Sequence, residues 1–147
     1  MFNENPSGGP DHGAMLSILA RARPERLKAL AETLLIGMGE ISVIANRTGL
    51  VMVPMRDTVE NVDFHLGEVL VSEAHIADAA GHVGCGMVTG RDLERAMAMA
   101  VVDLHLSASG EEPDITSFLA EERAHQASED TARMRQVEAT RVEMETF

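Results

Sequence analysis

One run of fourteen residues, Leu93 to Leu106, constrains the fold more than any other segment of the chain. It reads LERAMAMAVVDLHL, and after Arg95 its only polar residues are Asp103 and His105. A helix that is apolar around most of its circumference has to be buried on most sides. We therefore expect a helix here that is covered by a sheet on one side and by another helix or a partner protein on the other.

The segments before this helix predict an α+β fold with an antiparallel sheet of about four strands. Two N-terminal helices are expected in residues 13–40, with Pro24 in the first turn of the second helix and Gly37 at its end. The expected strands are residues 41–45, 50–55, 64–78 and 82–89. Asn46-Arg47-Thr48-Gly49 predicts a hairpin turn between the first two strands, and Pro54 indicates an edge strand or a bulge.

The segment after residue 110 is helix-favouring and heavily charged, with few apolar residues beyond Leu119. A helix of this kind buries little by itself, so we expect it to project or to dock on another chain. The predicted division is a flexible lead at 1–12, an α+β domain at 13–110 and a charged C-terminal helical arm at 111–147.

Charge and composition exclude several classes of function. The net charge of −12 argues against nucleic acid and against anionic membrane surfaces, because both require a basic footprint. No apolar run approaches the roughly 20 residues of a membrane span, and residues 1–13 lack the pattern of a secretory signal. We expect a cytoplasmic protein.

The glycine-rich stretch HVGCGMVTGRDLERA, residues 82–96, suggests a phosphate loop, because glycine turns that lead into helices expose backbone N–H groups. Its spacing is one residue longer than the dinucleotide fingerprint, and it lacks a P-loop lysine. Asp92 at the helix start is a good N-cap, and its charge would repel an anion there. We therefore favour a turn and a capped helix at Gly90, Arg91 and Asp92 over a phosphate site.

No catalytic or metal-binding pattern stands out in the sequence. Cys85 is the only cysteine, which excludes an intramolecular disulfide and a cysteine cluster, and its apolar surroundings indicate a small buried residue. The six histidines are scattered, and no serine occupies a nucleophile elbow. We expect neither a metal site nor catalytic residues in this chain.

Several stretches in combination resemble one protein family. They are NRTGLVMVPMR, FHLGEVLVSEA, GCGMVTGRDLERAMAMAVVD and the closing RQVEATRVEMETF. In this order and spacing they are similar to the small G subunit of the bacterial carbon–phosphorus lyase core complex, over about residues 14–147. The sequence departs from the family pattern at Ala14, at Ile44 and at Ser72-Glu73.

The resemblance implies a subunit of the complex that transfers the ribose 5-triphosphate group of ATP to a phosphonate with release of adenine, an alpha-D-ribose 1-methylphosphonate 5-triphosphate synthase. It implies as partners the nucleosidase-like I subunit, the radical J subunit and the H subunit, with two copies of this chain per complex. ATP is then a substrate of the complex, and no cofactor is expected on this chain.

The residues themselves give the candidate anion or partner contacts, which are Arg47, Arg56, Gly90, Arg91 and Asp92. The resemblance adds a second set. The family-motif residues with an expected structural role are Thr48, Gly49, Gly67 and Glu68. Two other functions remain open: a stand-alone small-anion-binding protein or enzyme that uses the Gly90-Arg91 turn, and a homodimeric interaction protein outside phosphonate metabolism.

Overall fold

Between residues 11 and 142, the part that this computed structural model describes, the chain forms four helices and one antiparallel sheet of three strands. The helices are α1 (His12–Arg21), α2 (Pro24–Gly37), α3 (Leu93–Ser109) and α4 (Pro113–Ala139). The strands, in spatial order, are β1 (Ile41–Arg56), β2 (Asp63–Asp78) and β3 (Val83–Thr89). The predicted α+β class is confirmed. Residues 1–10 of the predicted lead and 143–147 of the predicted arm lie outside the described residues.

The strand count differs from the prediction, because β1 is one continuous strand of 16 residues. The expected turn at Asn46-Arg47-Thr48-Gly49 pairs in register with Ala74 to Val71 of β2. The local turn signal is overridden by cross-strand pairing along the whole length of β2. Pro54 lies on this edge strand beside a register shift, as its residue type indicated.

Helix α3 forms the centre of the core. It packs on β2 and β3 on one side and on α1 and α2 on another. Its side chains from Ala98 to Leu104 are buried, and the core also includes Leu19 of α1 and Leu27 of α2. The expected cover of the apolar helix is therefore supplied within this chain by sheet and helices, and no partner protein is needed to provide it.

The first half of α4 docks on the two N-terminal helices. Ile115, Phe118 and Leu119 enter the core, and the fully buried Glu122 accepts hydrogen bonds from the Arg23 backbone N–H at 3.0 Å and from Arg23 Nη2 at 2.7 Å. Arg26 Nη1 donates to the same carboxylate at 2.8 Å. Residues 131–142 are all exposed. Of the predicted arm, the first half is thus docked and the described remainder is exposed.

The outer half of the β1–β2 hairpin extends beyond the core. Strand β3 pairs only with Val71 to Ala77 of β2, so residues 50–70 form a two-stranded segment that we call the outer ribbon. No residue of the outer ribbon belongs to the core cluster. Its strand pairs run from Leu50↔Leu70 to Arg56↔Asp63, a length of about 20 Å at roughly 3.4 Å per residue.

Candidate functional site

Two glycines of the stretch 82–96 serve to pack α3 against the sheet. A Cβ at Gly84 would lie 2.2 Å from the carbonyl oxygen of Ala100, and one at Gly86 would lie 2.0 Å from that of Ala96. Only glycine allows the helix backbone to approach β3 this closely. The space beside these glycines is filled by α3, so it holds no phosphate.

The turn at Gly90 uses its own polar groups internally. Gly90 has a φ of +94°, which favours glycine, and its N–H donates to the carbonyl of Leu70 at 2.9 Å. Its carbonyl accepts a hydrogen bond from Ser72 Oγ at 2.8 Å. The turn therefore joins the start of α3 to the base of the outer ribbon.

Asp92 caps α3, and the cap occupies the place that an anion would need. Its carboxylate accepts from the backbone N–H of Arg95 at 2.9 Å, and Lys28 Nζ lies 3.3 Å away. The Arg95 N–H lowers the pKa of Asp92, and Lys28 and the Arg95 charge add to this despite partial burial. A negative charge is thus already present at the helix N-terminus.

The three candidate arginines do not form one site. Arg47 is paired with Glu73 at 2.5 Å and Arg56 with Asp63 at 2.7 Å. These two arginines are nine residues apart on β1, or roughly 30 Å. Arg91 is exposed, and its side chain has no ion pair or hydrogen bond among residues 11–142. Of the three, Arg91 alone has no internal partner in this range, whereas the pairs of Arg47 and Arg56 are exposed and therefore weak.

The family-motif residues are brought together on the paired strands β1 and β2. Thr48 and Gly49 lie opposite Ser72 and Val71, while Gly67 and Glu68 lie opposite Val53 and Met52. A Cβ at Gly49 or Gly67 would meet no atom within 4 Å. The described part of the chain gives Glu68 no ion pair or side-chain hydrogen bond. Packing within this chain therefore does not explain why glycine or glutamate stands at these positions.

The departures from the family pattern have visible structural consequences. Ser72 is buried and donates to Gly90, and Glu73 neutralises Arg47. Ile44 is the extra residue of the bulge between Val43 and Ala45 and is 63% exposed. Ala14 lies exposed on α1. Glu73 thus makes a contact across the β1–β2 hairpin, and Ser72 makes one at the base of the outer ribbon.

Sequence reasoning missed the apolar surface of the outer ribbon. Large apolar residues are exposed there: Leu50 (62%), Met52 (59%), Val59 (88%), Val62 (55%), Leu66 (64%), Met55 (45%) and Phe64 (44%). The signal in the sequence was a pair of strands with apolar residues at both odd and even positions, which is typical of strands covered on two faces. Residues 11–142 cover neither face of the ribbon.

A second feature missed from the sequence is a buried carboxylate beside a cavity of about 580 Å³ between α1, α3 and α4. Asp103 is 4% exposed and accepts from the Cys85 backbone N–H at 2.8 Å, while His12 Nε2 lies 2.7 Å from its other oxygen. Burial, with the Asp103 charge, raises the pKa of the Cys85 thiol. The thiol is therefore kept protonated, which is unlike a nucleophilic cysteine.

Residues 11–142 contain no group of three or more His, Cys, Asp or Glu side chains arranged to hold a metal ion. Over the same range, every helix is too short or too polar to cross a membrane.

Comparison with known proteins agrees with the resemblance seen in the sequence motifs. A family model described as "Phosphonate metabolism protein PhnG" matches residues 12–147. A curated relative from Rhizobium meliloti (strain 1021), "Alpha-D-ribose 1-methylphosphonate 5-triphosphate synthase subunit PhnG", is 31% identical over 100 residues. The alignment covers 68% of this chain and 64% of the relative, so the match spans less than two thirds of that protein. Because the family model matches nearly the whole sequence, the chain belongs to the PhnG family of phosphonate metabolism proteins.

Proposed function

We propose that this chain is a subunit of a carbon–phosphorus lyase core complex that transfers the ribose 5-triphosphate group of ATP to a phosphonate and releases adenine. Family membership and the name of the Rhizobium meliloti relative as a synthase subunit support this. ATP is then a substrate of the complex, which acts in the cytoplasm, and this chain binds no cofactor of its own.

The role of the chain within the complex is assembly rather than chemistry. The observation that carries this is the contact of Gly84 and Gly86 with the backbone of α3, which makes the one phosphate-loop-like stretch a packing element. Asp92 is engaged as a helix cap, and Arg47 and Arg56 are engaged in ion pairs. The partners are the larger I, J and H subunits, and each complex contains two copies of this chain.

Co-expression with and without this chain tests the proposal. We expect the four subunits together to convert ATP and methylphosphonate to ribose 1-methylphosphonate 5-triphosphate and adenine, and we expect omission of this chain to abolish both assembly and formation of the ribose 1-methylphosphonate product. An active I–J–H preparation that lacks this chain would refute the assembly role. Adenine release by this chain alone would show that it is itself catalytic.

One second candidate is a small-anion-binding protein that uses the Gly90-Arg91 turn, and it is favoured because Arg91 is exposed and has no partner among the described residues. This function requires ATP or methylphosphonate to stabilise the chain by itself. At about 100 times its dissociation constant, a ligand adds roughly 2.7 kcal/mol to the free energy of unfolding. The remaining alternative, a homodimer outside phosphonate metabolism, requires that a tagged chain retains no larger subunit from its source cells.

A further inference from the structure

The outer ribbon, residues 50–70, exposes more apolar surface than an isolated pair of strands can sustain in water. A two-stranded ribbon is marginally stable without cover. With about 200 Å² for a fully exposed residue of this size, the exposed fractions of its large apolar residues amount to on the order of 900 Å². Summed over both faces, this area is close to the roughly 800 Å² that each partner buries in a standard interface.

Both faces of the outer ribbon contribute to this surface. Residues in register across an antiparallel pair share a face, and so do alternate residues of one strand. Leu50, Leu70 and Met52 therefore share one face, the continuation of the face that α3 covers at Ser72. Val51 and Val69 share the opposite face. A partner that contacts one face only would leave the other in water.

The β2 edge of the outer ribbon is open to a further strand. β3 pairs with β2 only as far as Val71↔Thr89, and the Gly90 N–H then donates to Leu70. In the described structure, no strand lies beside the edge from Asp63 to Val69. Unpaired backbone N–H and C=O groups on such an edge are a template for strand addition by another chain.

Two side chains of opposite charge, Glu68 and Arg91, lie on or beside this apolar surface. Glu68 lies opposite Met52 on the face that carries Leu50, and the described residues provide it with no cation. Arg91 follows Gly90, which is hydrogen-bonded to Leu70 at the ribbon base. A charge left unpaired beside an apolar surface is expected to meet an opposite charge when a partner covers that surface.

We propose that the outer ribbon inserts into an apolar cleft of a larger subunit of the same complex. A strand of that subunit continues the sheet along the Asp63–Val69 edge, with a cation opposite Glu68 and a carboxylate opposite Arg91. This inference rests on the proposed function. The net charge of −12 opposes the alternative occupant, a second copy of this chain, and favours a more basic partner.

Co-purification of ribbon variants with the I, J and H subunits tests the inference. Met52→Ser with Leu66→Ser removes apolar surface from the ribbon, and Glu68→Lys reverses its unpaired charge. The matched control is Ile36→Ser with Val83→Ser, which changes exposed apolar residues of α2 and β3, outside both the ribbon and α4. We expect both ribbon variants to retain about tenfold less of the larger subunits than the wild type, and the control to retain a full yield.

Two further measurements exclude unfolding and locate the contact. Circular dichroism of each full-length variant is expected to match the wild type, because all the changed residues are exposed. Hydrogen exchange is expected to slow at the amides of residues 63–69 in the complex relative to the free chain.

Full retention by both ribbon variants would overturn the inference while the proposed function stands. Failure of the wild type to retain any larger subunit would instead overturn the proposed function. A wild-type dimer lost in the ribbon variants would identify a second copy as the occupant and overturn the inference.

Discussion

Replacement of Gly86 by alanine is the most direct test of how α3 packs on the sheet. The added Cβ would lie 2.0 Å from the carbonyl oxygen of Ala96 and 2.9 Å from the backbone nitrogen of Ala100. An ordinary contact requires about 3.4 Å, so α3 would have to move away from β3 by roughly 1.4 Å. Both opposing atoms are backbone, so no side-chain rotation relieves the clash.

The expected cost follows from what this movement disrupts. Extra methylene groups in a packed core cost about 1–3 kcal/mol, and a clash with rigid backbone belongs at the upper end, about 3 kcal/mol. For a chain of this length, 1 kcal/mol corresponds to a change of about 2–4 °C in the unfolding temperature. We therefore expect Gly86→Ala to unfold roughly 10 °C below the wild type.

Thermal unfolding followed by circular dichroism at low micromolar concentration measures this difference. Gly67→Ala is the matched control, because a Cβ at Gly67 meets nothing within 4 Å and its φ lies outside the left-handed region. We expect it to leave the unfolding temperature unchanged or slightly raised. An unfolding temperature for Gly86→Ala within about 1 °C of the wild type would refute the packing role of this glycine.

The remaining predictions concern α4, the α3 cap and anion binding. Glu122→Ala should lower the free energy of unfolding by about 2–4 kcal/mol, because it removes the buried partner of Arg23 and Arg26, whereas Glu121→Ala, in an exposed pair, should cost less than about 1 kcal/mol. Burial alone would raise the pKa of Glu122, but the hydrogen bonds from Arg23 and the charges of both arginines hold this pKa below its usual 4.5. The contribution of Glu122 to the free energy of unfolding should therefore be present above pH 4.5 and decrease as the pH falls through the lowered pKa. Urea titrations from pH 7 to pH 3 measure this loss, and an equally steep loss in Glu122→Gln would contradict it. Asp92→Ala should cost about 1 kcal/mol and Asp92→Asn much less, so equal costs in urea unfolding would argue against the cap. Saturating ATP or methylphosphonate should not raise the unfolding temperature of the isolated chain, and a rise that Arg91→Ala abolishes would support the anion-binding alternative.

Local patterns predicted the helices and their ends well. Pro24 begins α2 and Gly37 ends it, as proline and glycine do at helix termini. Asp92 caps α3, as its place at the helix start predicted. Each of these features depends on residues within one or two turns of each other, so the sequence alone contains the information.

Non-local pairing explains why the predicted four strands became three. Asn46 and Gly49 are turn residues by local preference, but β2 offers an unbroken row of partners opposite them. Ile44 is an extra residue in β1, and it forms a bulge at which the pairing register between β1 and β2 shifts. No window of sequence around Asn46 reveals which residues will lie across from it.

The candidate site residues stay predictions, and the structure adds which of their charges have a partner among the described residues. Arg91 was a candidate anion or partner contact and Glu68 a family-motif residue with an expected structural role, and only the structure distinguishes them from Arg47 and Arg56, which are engaged in ion pairs. The pairing partner of an exposed arginine depends on residues far away in sequence: Glu73 is 26 positions from Arg47. A motif alone therefore cannot separate a free charge from a neutralised one.

The sequence by itself determined the α+β class, the buried helix at Leu93, the cap at Asp92 and the family, because periodicity, capping and motif order are all properties of neighbouring residues. Only the tertiary structure shows that α3, and not a phosphate, packs against Gly84 and Gly86. Only the tertiary structure likewise shows that Glu122 of α4 is hydrogen-bonded to Arg23 at the start of α2. It also decided that α3 is covered within the chain while the outer ribbon is not. The burial of a surface depends on which distant segment packs against it, and the contacts between distant segments form only when the whole chain folds.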